Sequence, residues 1–93
     1  MAYDNQAAGA VIRTLRLERH MTQEMLSGFA GIARTHLTMI ENGRKQASLE
    51  TLWRLAEALG LRPSQLVERI ESGIDEKTSG GRQPGDREAQ CGD

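Results

Sequence analysis

Apolar residues recur along this chain at three- and four-residue spacing, and no run alternates with period two. The pattern predicts helices throughout and no strand. Ala8, Val11, Ile12 and Leu15 predict a first helix from Asn5 to Arg19, with Asp4 as N-cap. Thr22 opens a second helix that runs to Phe29 or Ala30, and Glu24 in its first turn complements the helix dipole. Gly31 is suited to the positive φ that stops a helix sharply. A third helix spans Ala33 to Glu41 and is closed by Asn42-Gly43. A fourth starts at the Ser48 cap, carries Leu49, Leu52, Trp53, Leu55, Ala56 and Leu59, and stops before Gly60. Pro63 at the first helical position opens a fifth helix with Leu66, Val67 and Ile70. The expected fold class is all-α, a compact five-helix domain over residues 1–71.

From Ser72 onward the pattern fails. Gly73, Gly80, Gly81, Gly85, Gly92 and Pro84 crowd this stretch, and after Ile74 the only apolar residues are Ala89 and Cys91. So little apolar surface does not offset the entropy of ordering, which predicts a flexible acidic tail over 72–93, disordered from 75. Two uses of such a tail stay open: solubilising the domain, or folding on a protein partner.

Charge sharpens this division. The 93 residues carry a net −1. Residues 11–70 nevertheless hold nine basic against six acidic side chains, and the two ends together hold three basic against seven acidic. A mildly basic module with an acidic tail is the pattern of a nucleic-acid binder. A lone Cys91 excludes an intrachain disulfide and a cysteine-based zinc site. His20 and His36 have no acid or cysteine spaced with them as a ligand set, so no metal or cofactor is expected. Neither a membrane span nor a signal peptide is visible, and a reducing cytoplasm is the expected location. Ser48 and Thr22 lack a base that would make either a nucleophile, and an enzyme is not expected.

The informative stretch is Thr22 to Gly43. Two short helices joined through Ala30-Gly31-Ile32 give the outline of a helix-turn-helix. Leu26 and Ala30 give the second helix an inward face, Ile32 anchors the turn, and Leu37 and Ile40 turn the third helix inward. That leaves Arg34, Thr35, Thr38 and Met39 facing out, where a major groove would meet them.

Around this stretch stand Ile12-Arg13, Leu15-Arg16, Met21-Thr22-Gln23-Glu24, Ile40-Glu41-Asn42-Gly43-Arg44, Ser48-Leu49-Glu50-Thr51-Leu52 and Leu55-Ala56-Glu57-Ala58-Leu59-Gly60. In this order and spacing the chain resembles the lambda-repressor-like, Cro/C1-type (XRE) helix-turn-helix family over residues 9–68. The resemblance implies that the third helix enters the major groove of double-stranded DNA. Arg34, Thr35, Thr38 and Met39 would then face base edges, with Arg34 able to bond guanine O6 and N7 together. Met39 is either a contact to a thymine methyl or simply exposed. Gln23 would meet a phosphate at a helix N-terminus. Asn42, Arg44 and Lys45 would meet the backbone of the same half-site, with Arg13 a further phosphate contact. Arg16 and Glu41 would pair as a buried salt bridge.

Three positions depart from the family pattern. Ala33 stands where a Ser or Thr cap is usual, Gly28 lies inside a helix, and Phe29 replaces a solvated Lys or Glu. Phe29 is read as a surface residue or a contact with another chain. Trp53 is read as a packing residue of the fourth helix, with a subunit interface as the alternative. Arg19 and Arg54 are read as surface charge. Leu66, Val67, Ile70 and Ile74 form a stripe that nothing left in the chain is expected to cover, so a two-fold homodimer interface is expected there.

The expected function is a sequence-specific transcriptional regulator, such as a phage-type repressor or a restriction-modification controller, that binds a palindromic operator as a dimer. The alternative is an antitoxin that autoregulates its operon and binds a toxin through the tail.

Overall fold

The computed structural model describes residues 2–80 of the chain. Five helices follow one another: α1 (Asn5–Glu18), α2 (Gln23–Ala30), α3 (Arg34–Glu41), α4 (Leu49–Ala58) and α5 (Pro63–Gly80). There is no strand among the described residues. Helix α1 packs on α3 and α5, α2 on α3 and α4, and α4 on α5. One core results, centred on the fully buried Ile12, Leu15, Leu26, Leu37, Leu55 and Leu66, so every helix contributes at least one large aliphatic side chain.

The starts of the helices follow from local hydrogen bonding. The Asp4 carboxylate accepts from the N–H groups of Gln6 and Ala7. Thr22 caps Met25 N–H and Ser48 caps Thr51 N–H. Helix α3 alone among these four begins without a side-chain cap, at Ala33. For α5, the Gln65 side chain accepts from the Arg62 N–H at 2.8 Å.

The first four helices stop in the same way. A backbone N–H reaches back five residues: Met21 to Arg16, Ile32 to Ser27, Arg44 to Met39 and Leu61 to Ala56, at 2.8 to 3.1 Å. This closure needs one residue in the left-handed region. Gly31, Gly43 and Gly60 supply it three times, and His20 supplies it at α1 with φ 57°.

Two expectations are corrected at α5. The helix runs through the 71/72 boundary to Gly80, where a disordered tail from residue 75 is expected. Ile74 is buried on the body of the domain. Residues 75–80 then extend a helix that already exists, which avoids the cost of nucleation. The remainder of the tail, 81–93, lies outside the described residues. The second correction concerns the dimer stripe. Leu66, Ile70 and Ile74 are core residues of this one chain, covered by its own helices, and Val67 alone of the four is exposed.

The close crossings depend on glycine. A Cβ on Gly9 would collide with the carbonyl oxygen of Ile40, and one on Gly73 would stand 2.7 Å from Cγ2 of Val11. Gly9 therefore lets α1 lie against the end of α3. Gly73 lets α5 lie on α1 and is a packing residue, not part of a flexible tail.

Candidate nucleic-acid interface

Helices α2 and α3 are separated only by Gly31, Ile32 and Ala33. The left-handed Gly31 turns the chain, and Ile32 packs against the core so that the turn is held. Leu37 and Ile40 then anchor α3 from its inner side. The opposite side presents Arg34, Thr35 and Met39 to solvent, with Thr38 half-buried beside them. These four thus share the outer face of one short helix fixed at both ends.

The C-terminal end of α3 is tied to α1 and α2 by a side-chain network. Arg16 Nε donates to Glu41 Oε2 at 2.8 Å and Arg16 Nη2 to Glu41 Oε1 at 3.1 Å. The two side chains are 9% and 1% exposed. Arg16 Nη1 also donates to the Met21 carbonyl at 2.8 Å, just before α2. Gln23 Nε2 donates to Glu41 Oε1 at 3.0 Å, and Gln23 Oε1 accepts from the Thr38 hydroxyl at 2.9 Å. The family resemblance points to Arg16 and Glu41. It does not point to the engagement of Gln23 and Thr38, whose only sequence signal is that Thr38 and Glu41 lie three apart on α3, on one face.

The loop after α3 carries Asn42, Arg44 and Lys45, all exposed. The Met39 carbonyl accepts from both Arg44 N–H, at 2.9 Å, and Lys45 N–H, at 3.3 Å. The stop of α3 therefore fixes the backbone from which both cations project. Among the described residues, ion pairs involve Arg16, Arg19 and Arg54, while Arg34, Arg44 and Lys45 have no acidic partner. Arg13 is exposed on α1, one turn before Arg16.

Two side chains differ from the sequence reading. Arg19 is not surface charge: Nε donates to the Leu59 carbonyl at 2.6 Å and Nη1 to the Leu15 carbonyl at 3.1 Å, so it bridges the ends of α4 and α1. Trp53 is not a packing residue and is 51% exposed; Phe29, expected at the surface, is 65% exposed. Leu49, Leu52 and Trp53 lie at helical spacing on α4, and Leu52 lines a groove with Tyr3 and Val67. An apolar face on α4 and α5 results, with Leu49, Trp53 and Val67 exposed.

A short helix pinned on its inner side, with an arginine-bearing outer face and a fixed basic loop beside it, is the arrangement of a helix-turn-helix protein. The sequence model of the helix-turn-helix family matches residues 12–66, and the chain belongs to that family, in its Cro/C1-type branch. The class is one of DNA-binding transcriptional regulators. Among its relatives is the ImmF control region 10 kDa protein of Bacillus phage phi105, 33% identical over 83% of this chain and 90% of that protein. Another is the cryptic phage CTXphi transcriptional repressor RstR of Vibrio cholerae, 36% identical over 71% of this chain and 60% of that one. The crystal structure of the restriction-modification controller protein C.AhdI from Aeromonas hydrophila superposes with a TM-score of 0.65. It is 31% identical and covers 67% of this chain and 94% of its own.

Proposed function

We propose that this protein is a transcriptional repressor or controller that binds a palindromic operator as a homodimer, with α3 in the major groove. The observation that carries the reading is the outer face of α3. Arg34, Thr35 and Met39 are exposed there, on a helix whose other side is locked into the core. In this reading Arg34 bonds a guanine edge, Thr35 and Met39 meet neighbouring bases, and Thr38 sits among them. Arg44, Lys45 and Asn42 hold the phosphates of the same half-site, with Gln23 and Arg13 on the flanking backbone. Relatives named as a repressor and as a controller protein support the regulatory role. The work is done in the cytoplasm, on the chromosome or a phage genome.

The dimer in this reading does not use Leu66, Ile70 and Ile74, which are spent on the core. It uses the exposed face of Leu49, Trp53 and Val67, and places two α3 helices about 34 Å apart, one turn of duplex. Selection of binding sites from a random duplex library at about 150 mM salt is the test, because weaker salt inflates non-specific binding. Recovery of an inverted repeat is the expected outcome. Recovery of nothing above background overturns the reading.

A further inference from the structure

Gln23 and Thr38 make contacts that the operator reading does not need, and these constrain what each can do. The Gln23 amide has one carbonyl oxygen and two N–H hydrogens. Its oxygen takes the Thr38 hydroxyl at 2.9 Å, and one hydrogen goes to Glu41 Oε1 at 3.0 Å. Glu41 is itself immobilised by Arg16 through two hydrogen bonds. A hydroxyl donor on one side and a carboxylate acceptor on the other fix which way round the amide stands. The reversed amide would set oxygen against the Glu41 carboxylate and lose that bond, leaving Thr38 only as an acceptor with its hydrogen on the Arg34 carbonyl. Among the described residues, one Nε2 hydrogen is left without a partner. The Thr38 hydroxyl, meanwhile, has its single hydrogen engaged by Gln23 and by the Arg34 carbonyl at 3.0 Å, within its own helix. It has no hydrogen to offer a base.

We infer that Thr38 is a positioning residue that acts on DNA through Gln23: with Glu41 it clamps the Gln23 amide so that the free Nε2 hydrogen is presented to a phosphate oxygen. The inference rests on the operator reading and assigns Thr38 away from base recognition within it. Gln23 is neutral and releases no counterion, so the contact adds affinity without adding to the salt dependence. Readout helix and phosphate anchor are thereby coupled, since Thr38 belongs to α3 and Gln23 to α2.

Two measurements on the full chain test this. In the free protein, the Gln23 side-chain amide protons should appear by NMR as a widely split, exchange-protected pair. Thr38→Val should collapse that pair, whereas Thr38→Ser should preserve it. On the selected duplex, Thr38→Val should lower affinity by about three- to tenfold, equally for all single-base variants and with an unchanged salt slope. Gln23→Ala should cost as much, and the double variant should cost no more than either alone. Melting of each variant guards against simple unfolding, with Thr38→Ser as the variant that keeps the hydroxyl. Unchanged amide signals in Thr38→Val, additive losses, or a shifted preference at one base pair would each overturn the inference. A native chain that selects no duplex sinks the operator reading and the phosphate role with it, while the amide signals still decide whether the clamp exists.

Discussion

Arg16 and Glu41 meet across α1 and α3 through two hydrogen bonds of 2.8 and 3.1 Å, with the Glu41 side chain almost wholly excluded from water. Neither charge tolerates the loss of the other. Arg16→Ala or Glu41→Ala should each destabilise the fold by about 3–5 kcal/mol, because the survivor is left buried and uncompensated. Arg16→Met combined with Glu41→Leu should recover most of that loss. Urea unfolding of the three variants checks this, and a double variant weaker than both singles would contradict it.

Two glycines should respond to alanine with opposite signs. At Gly9 the new methyl enters the space of the Ile40 and Glu41 carbonyls, backbone atoms that do not yield. Gly9→Ala should cost about 3 kcal/mol. At Gly28 nothing lies within 4 Å of the new methyl, and the residue is inside a helix. Gly28→Ala should stabilise by about 1 kcal/mol. Chemical denaturation of the pair gives both numbers in one experiment.

The end of α1 carries a second pair of opposite effects. His20 holds a left-handed conformation at φ 57°, where its three counterparts are glycine. His20→Gly should gain about 0.5 kcal/mol, the relief of strain exceeding the extra chain entropy. Arg19→Met keeps the aliphatic stem and removes the bonds to the Leu59 and Leu15 carbonyls. It should lose about 1–2 kcal/mol. Thermal melts would show the two shifts in opposite directions.

Arg34 and Lys45 should separate base reading from charge. Arg34→Ala should erase about 1–3 kcal/mol of discrimination at one base pair in each half-site. Lys45→Ala should weaken all sequences alike and reduce the salt slope by about 1. Titrations of native and single-base variant duplexes over a range of salt distinguish the two. A uniform loss for Arg34→Ala would remove it from the base-reading set.

Self-association should respond to Trp53 and Val67 and not to the buried stripe. Trp53→Glu with Val67→Glu should shift sedimentation equilibrium toward monomer while leaving the melting temperature near native. Leu66→Ala should instead cost about 2–5 kcal/mol of folding stability, because Leu66 is fully buried. Unchanged association in the doubly charged variant would remove this face from the dimer.

The helices and their caps were legible because they rest on short-range chemistry. Asp4, Thr22, Ser48 and Gly31 act on neighbours within a few residues, and periodicity locates the inner faces. What a one-dimensional pattern lacks is the identity of the element opposite each face. The α5 stripe was visible, but of the two helices packed on α5 one, α1, lies about fifty residues away in sequence, and no local pattern says that it returns there. The same gap hid Gly9, whose role depends on the Ile40 carbonyl thirty-one residues on, and Arg19, whose partner Leu59 is forty residues away. At the interface, the outer face of α3 followed from Leu37 and Ile40 being inward. The Thr38–Gln23 contact did not, since it joins two helices at an angle that no local pattern encodes.

Four helix stops that reach back five residues leave this chain almost no slack. Only three residues separate α2 from α3, and each is committed to the turn or the next helix. One inserted residue inside α3 would rotate everything beyond it by about 100°, carrying Leu37 or Ile40 out of the core. Length variation should therefore be rejected nearly everywhere from Asn5 to Ile74. The exception is the longest connection, 42–48, beyond the stop that fixes Arg44 and Lys45. In a library of single-residue insertions, the survivors should cluster at Gln46, and the molecule should diversify by changing what its side chains are, not how many there are.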